Sequence, residues 1–453
     1  MTRHAYDCRV RGDHVVEIQR QNGVEEMDIS FKRTVRVPDN CDHSKLPPDL
    51  GNFPLFKTKD YGHALPASMV AKGGLSMPMH CENFRPNSSE YDETDAIIAR
   101  EAMWINFSGS TPFAVKVYVG SVNAVSGEAA AETENAKLDR LAHSSEKEKV
   151  QDYVVVPHQQ WLDGVTCDSG FVQQFVAMDL GNGYTVEAQV TGQEARGGLQ
   201  FEITPVNLGY LFSVQVKRLG GETTELPIGA HSTVADVKRL IALKEGIPAF
   251  DQRLIYAGRQ LEDSQLVLEL TEGDETATFH LVLRMRGGGG PRPNNCREMG
   301  IAVGGFIEQG IVHDPYPAAA WNTAATVVFN VQILNASTFE AVTGILAPET
   351  PITMETYSNL GLPFFELPEE KSGISGRFDL ISVGEHDGLN EESFPVPIHV
   401  LGNFQPRKST GIPKGSKASS DDDIANPAGP LQKFRHVSEL VKEVEDLSVD
   451  ASD

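Results

Sequence analysis

The chain has little of several things, and each shortage removes a class of function. Nowhere in its 453 residues does an apolar run approach the ~18 residues that a membrane helix needs. Positive charge is scarce: 39 Lys and Arg stand against 63 Asp and Glu, for a formal net charge of −24. Phosphate backbones are held by clustered Lys and Arg, and anionic lipid surfaces by polybasic segments. A nucleic-acid partner and a membrane partner are therefore not expected. The five cysteines, Cys8, Cys41, Cys81, Cys167 and Cys296, are odd in number and far apart. That spacing fits free thiols in a reducing compartment better than a disulfide framework. No apolar stretch follows the first charged residues, so no signal peptide is read, and a cytoplasmic or nuclear location is expected.

Catalytic constellations are also missing. There is no Gly-x-Ser-x-Gly elbow, no phosphate-cradling loop ending Gly-Lys-Ser/Thr and no His-Glu-x-x-His. No cysteine pair has zinc-ligand spacing. Cys167 has His158 upstream and Asp163 and Asp168 close by, but a lone cysteine in a β-rich core more often serves as a small apolar residue. Trp104 and Trp161 read as core anchors, with a ligand pocket between them as the alternative. No catalytic residue, metal or cofactor is expected.

What remains is an ordinary globular composition, 40% hydrophobic and 23% charged, with a length that suggests two to four domains. Residues 1–30 are polar and weakly patterned. Residues 31–206 are β-rich: Phe113–Val119 mostly alternates, and Tyr153–Val156, Gly170–Met178, Tyr184–Val190 and Leu199–Ile203 are further strand candidates. Residues 46–79 read as extended chain without helices, and Glu128–Val150 is helix-compatible. Strand character returns over residues 297–385, clearest at Ala302–Ile307 and Thr326–Leu334, with a short helix at Thr353–Leu360. Residues 405–453 form an acidic tail too polar to order itself. Within it, Phe434, Val437, Val441, Val444 and Leu447 recur at helical spacing and predict a short amphipathic helix over 431–447, either docked or frayed.

Residues 212–288 carry a denser pattern. Val214, Val216 and Leu219 lead into Gly220-Gly221, and Thr223 to Ile228 returns as the second strand of a hairpin. Thr233 followed by Asp236 reads as an N-cap with its acid partner. Val234, Val237, Leu240 and Ile241 share a helical face, and Gly246 with Pro248 stops the helix. Arg253–Tyr256 and His280–Arg284 are the remaining strands. The order β-β-α-β-β describes a small sheet wrapped over one helix, a β-grasp.

The runs Lys244–Pro248, Asp251–Gly258, Gln260–Asp263 and His280–Gly288 make this segment resemble ubiquitin. The resemblance implies a docking patch at Leu219, Ile255, His280 and Val282, and a second apolar patch at Ile247, Leu283 and Met285. It implies partners with ubiquitin-binding domains. The departures matter too. Gly287-Gly288, the matching processing site, is followed by further chain, so its carboxyl is locked in a peptide bond unless a protease cuts there. Positions that ubiquitin uses for chain building fall at Arg259 and near Asp274, while Lys217, Lys238 and Lys244 remain.

The flanks, including Phe31–Asp39, Arg100–Phe107 and Gln160–Gly164, resemble a family found in fungi and bacteria, which implies a shared fold and no activity. Against that family residues 81–99 are extra, either a surface loop or a translated intron. The expected fold class is α+β: a ubiquitin-like β-grasp domain inserted into a split, β-rich, sandwich- or barrel-like host, with a disordered acidic C-terminal tail. The expected function is a non-catalytic interaction module in ubiquitin-related pathways. The alternatives are a modifier precursor cleaved after Gly288, and a host domain with its own enzymatic or small-molecule-binding activity.

Overall fold

The computed structural model describes residues 6–21, 25–37, 43–45, 47–84, 97–131, 150–168, 170–181, 183–218, 223–229, 231–245, 252–257, 259–271, 278–281, 298–345 and 423–450. Most of the described strands belong to a sixteen-stranded sheet. Its main path runs Tyr6–Arg11, Val15–Arg20, Glu26–Thr34, Ala102–Gly109, Phe171–Asp179, Glu298–Glu308, Val327–Asn335, Leu199–Pro205, Phe113–Val119 and Val122–Asn123. Strands early and late in the chain interleave: Phe171–Asp179 pairs with Glu298–Glu308, and Leu199–Pro205 with Val327–Asn335.

Strand period places alternate side chains on one face, and that face is apolar throughout. Met27, Ile29 and Phe31 join Met103, Ile105 and Phe107, then Phe113, Val115 and Val117, then Phe201 and Ile203, in one core. Phe31 meets Phe201 edge-on at 5.6 Å, although four strands separate theirs in the sheet order. The sheet therefore bends back over its own apolar face, and Phe201 stacks on Phe329 at 4.8 Å inside the fold.

A separate five-stranded sheet has the order Thr223–Gly229, Leu211–Arg218, Thr278–Leu281, Ile255–Tyr256, Arg259–Gln260. Leu211–Arg218 pairs antiparallel with the first and parallel with the third. The helix Val234–Glu245 lays Val234, Val237, Leu240 and Ile241 on Val214, Val216, Leu226, Ile228 and Phe279. This cluster is distinct from that of the large sheet. The expected capping box is present: the Thr233 amide donates to Asp236 Oδ2 at 2.7 Å, and the Asp236 amide to Thr233 Oγ1 at 3.3 Å. A short strand, Arg259–Gln260, and a helical turn, Val267–Leu270, extend the simple β-β-α-β-β order.

Several expectations are corrected. Residues 6–34 contain three paired strands, not a weakly patterned polar segment. Their inward positions are apolar (Tyr6, Cys8, Val16, Ile18, Met27), but Arg9, Arg11, Glu17 and Asp28 fill the other face and mask the alternation. Tyr184–Val190 is not a strand. Thr185 Oγ1 accepts the Ala188 amide, and a helix runs Val186–Thr191 until Gly192, at φ 72°, ends it. A helix at Ala67–Lys72 interrupts the extended chain before Leu75–Met79. At the ends of segment 81–99, Cys81–Phe84 pairs with Ile97–Arg100, while residues 85–96 lie outside the described residues. So do most of the helix-compatible stretch, residues 132–149, and all of 346–422, including Thr353–Leu360. The tail is not loose where it is described. Ile424, Asn426 and Leu431 join the large sheet, and the helix spans Val437–Asp450 with Leu440 and Val444 buried.

Candidate functional surfaces of the small sheet

The outer face of the small sheet is set by register. Lys217 and Ile255 both pair with His280, so positions 217, 280 and 255 stand side by side on one face. Leu254 points the other way and is fully buried, whereas Ile255 is partly exposed and Lys217 exposed. Gln260, opposite Ile255, is exposed as well. Of the expected docking patch, Ile255 is thus placed on this face. His280 is placed by its backbone alone, and Leu219 and Val282 lie outside the described residues. The same holds for Ile247, Leu283, Met285, Gly287 and Gly288.

A second surface meets the rest of the chain. At Gly229 a Cβ would stand 2.7 Å from the Tyr316 hydroxyl and 2.8 Å from Pro112 Cγ, so only glycine fits. The His231 ring meets the Tyr316 ring edge-on at 5.3 Å. The Tyr316 hydroxyl in turn lies 3.2 Å from His158 Nε2 on the large sheet's side. Burial pushes the Tyr316 phenol up. Burial likewise holds His158 below the ordinary imidazole range, opposed by Asp236 and reinforced by His231 and Arg239. Those three residues belong to the turn and first helical turns of the small unit. Among the described residues, the contacts between the two bodies gather here, beside Thr223–Gly229. Two strands separate that edge of the sheet from Ile255–Tyr256.

Sequence reasoning did not find this joint. Gly229, His231, Tyr316, His158 and Pro112 are scattered over the chain, and only Gly229, a glycine at the end of a strand, offered a local signal of close approach.

Elsewhere the expected sites resolve more plainly. The Cys167 thiol donates to the Phe171 carbonyl at 3.6 Å, and His158 is engaged with Tyr316. Trp104 is buried, with Lys32 Nζ 5.9 Å from its ring centre, and Trp161 pairs beside Asn106 on the same sheet. One carboxylate group was not anticipated. Glu17, Glu26 and Asp28 bring ligand atoms within 4.8 Å of one another. Arg9 and Arg11 form ion pairs with Glu17, and Arg11 pairs with Asp28 as well. Burial, then the neighbouring Asp28 and Glu17, hold Glu26 above the usual carboxylate range. The arrangement reads as a charge ladder on the N-terminal hairpin. No helix among the described residues is long and apolar enough to cross a membrane.

Comparison with known proteins agrees with the small sheet's topology. The ubiquitin family matches residues 214–286. Ubiquitin-like protein 1 of Schizosaccharomyces pombe is 41% identical over 75 residues, which is 17% of this chain and 95% of that protein. The NEDD8-like protein RUB1 of Saccharomyces cerevisiae is 40% identical over 77 residues, 17% of this chain and 96% of that protein. A ubiquitin-like protein 1-ribosomal protein eS31 fusion protein of Caenorhabditis briggsae is 43% identical over 75 residues, covering 17% of this chain and 42% of the fusion.

Proposed function

Because this chain belongs to the ubiquitin family through residues 214–286, we propose that it is a non-catalytic interaction protein whose ubiquitin-like module, inserted in a split β-rich host, is read in place by proteins with ubiquitin-binding domains. The observation that carries this reading is a division of surfaces. The host contacts gather at Gly229, His231 and Tyr316, while Ile255 is partly exposed on the outer sheet face, two strands away. A partly exposed apolar side chain flanked by polar residues is a suitable anchor for a transient protein contact. The sequence continues past Gly287-Gly288 to residue 453, so the module as encoded is a peptide-bonded part of the chain unless a protease cuts there. It then acts by being bound and not by being transferred.

The test is a pull-down of the full chain on immobilised ubiquitin-binding domains, wild type against Ile255→Ala. Truncation of an interface anchor typically costs about 1–2 kcal/mol of binding, so recovery should fall roughly five- to thirtyfold. Equal recovery of the two proteins would reject the patch.

A further inference from the structure

The described C-terminal residues form a continuous series of contacts across the host. Ile424 sits in the main core, its amide donating to the Cys8 carbonyl at 2.8 Å, and the Asn426 amide donates to the Val328 carbonyl at 2.6 Å. The Leu431 amide donates to the buried Glu202 carboxylate, and Gln432 Nε2 to the Ala130 carbonyl at 3.0 Å. Phe434 is buried between Tyr153 and Trp321, at ring distances of 5.0 and 6.1 Å. His436 then starts the helix. Its Nε2 lies 2.9 Å from the Tyr316 carbonyl, and its Nδ1 takes the Ser438 amide at 3.1 Å. With the proton on Nε2, both contacts are satisfied at once.

These contacts converge on the loop that also holds the module. The fully buried Asp314 carboxylate accepts from Tyr153 at 2.7 Å, from Trp321 Nε1 at 2.9 Å and from the Tyr316 amide at 2.8 Å, and His436 Nε2 lies 3.2 Å from it. Tyr153 in turn accepts the Val437 amide at 3.2 Å. One residue faces both ways: the backbone of Tyr316 meets the strap, and its ring and hydroxyl meet His231, Gly229 and His158. Removing the strap would take away His436 and Phe434, its contacts to the Tyr316 carbonyl and the Trp321 ring, and leave the Tyr316 backbone with the Asp314 carboxylate as its polar partner in this cluster.

We propose that residues 423–450 are a releasable strap whose docking sets how firmly the host holds the ubiquitin-like module, acting through the Asp314–Trp321 loop. No described strand lies within residues 423–450, so the segment can leave the large sheet without unpairing any described strand. Linkage makes the effect reciprocal: whatever steadies the module joint also tightens the strap. The inference concerns anchoring alone and is read with no partner present, so it stands or falls separately from the proposed function.

Amide exchange on the full chain tests it, comparing wild type with Phe434→Ala. The strap reading predicts exchange rising by about fivefold or more in both residues 311–321 and the helix start 231–239, with the strands 171–179 and 214–218 unchanged. Adding a synthetic 423–450 peptide in excess should restore protection. Faster exchange at 311–321 with 231–239 unchanged would overturn the coupling. If Phe434→Ala also speeds exchange in the main strands, the milder His436→Gln is judged by the same two segments, and an unchanged 231–239 there equally overturns it.

Discussion

His158 shows what the fold does to a single side chain. Burial beside Tyr316 holds its pKa below the ordinary 6.5, with Asp236 and Asp314 pulling up and His231 and Arg239 pushing down. The unfolded chain titrates near the ordinary value and so binds the proton that the folded chain refuses. Stability contributed by the neutral ring is present above about pH 6.5 and is lost as pH falls below it. Denaturation midpoints of wild type and His158→Gln, measured at about pH 7.5 and about pH 5.5, check this. The wild type should lose more on acidification, and parallel losses would count against it. Nothing near His158 in the sequence announced this, because its partners lie at Asp236, His231 and Tyr316.

Elements were legible where their signals are local. The module helix was readable from Thr233, Asp236 and its four apolar positions, and the structure shows those same bonds and contacts. Replacing Thr233 by Ala removes an N-cap oxygen and should cost about 1 kcal/mol. Followed by exchange in urea, the module strands 214–218 should open at lower denaturant while 171–179 hold. Equal shifts in both would mean that the two bodies unfold as one. Legibility failed where local and tertiary signals disagreed. At Tyr184–Val190 the β-branched Val186 and Val190 suggested a strand, yet the Thr185 cap and Gly192 made a helix. Across residues 6–34 the charged outer face hid a regular inward set.

At the scale of the molecule, two cores are built from separate sets of side chains. The module could be identified from sequence because its contacts close within about 70 residues. The path of the large sheet could not, since pairing such as Phe175 with Val303 spans the whole module. Nor could the docking of Ile424 and Phe434, which need Cys8, Tyr153 and Trp321 brought together first. The partner face is the least local property of all. Ile255 is nominated by resemblance, and its partial exposure needs both the strand register that turns it outward and a joint that lies elsewhere, at Gly229 and His231.

The most direct measurement is methyl NMR on the full chain with isoleucine labelling, titrated with a purified ubiquitin-binding domain. The Ile255 signal should shift with increasing partner, while Ile228 and Ile241 in the module core and Ile301 in the host core stay in place. Shifts confined to other residues, or none at saturating partner, would contradict the claim that this module is read in place through its outer face.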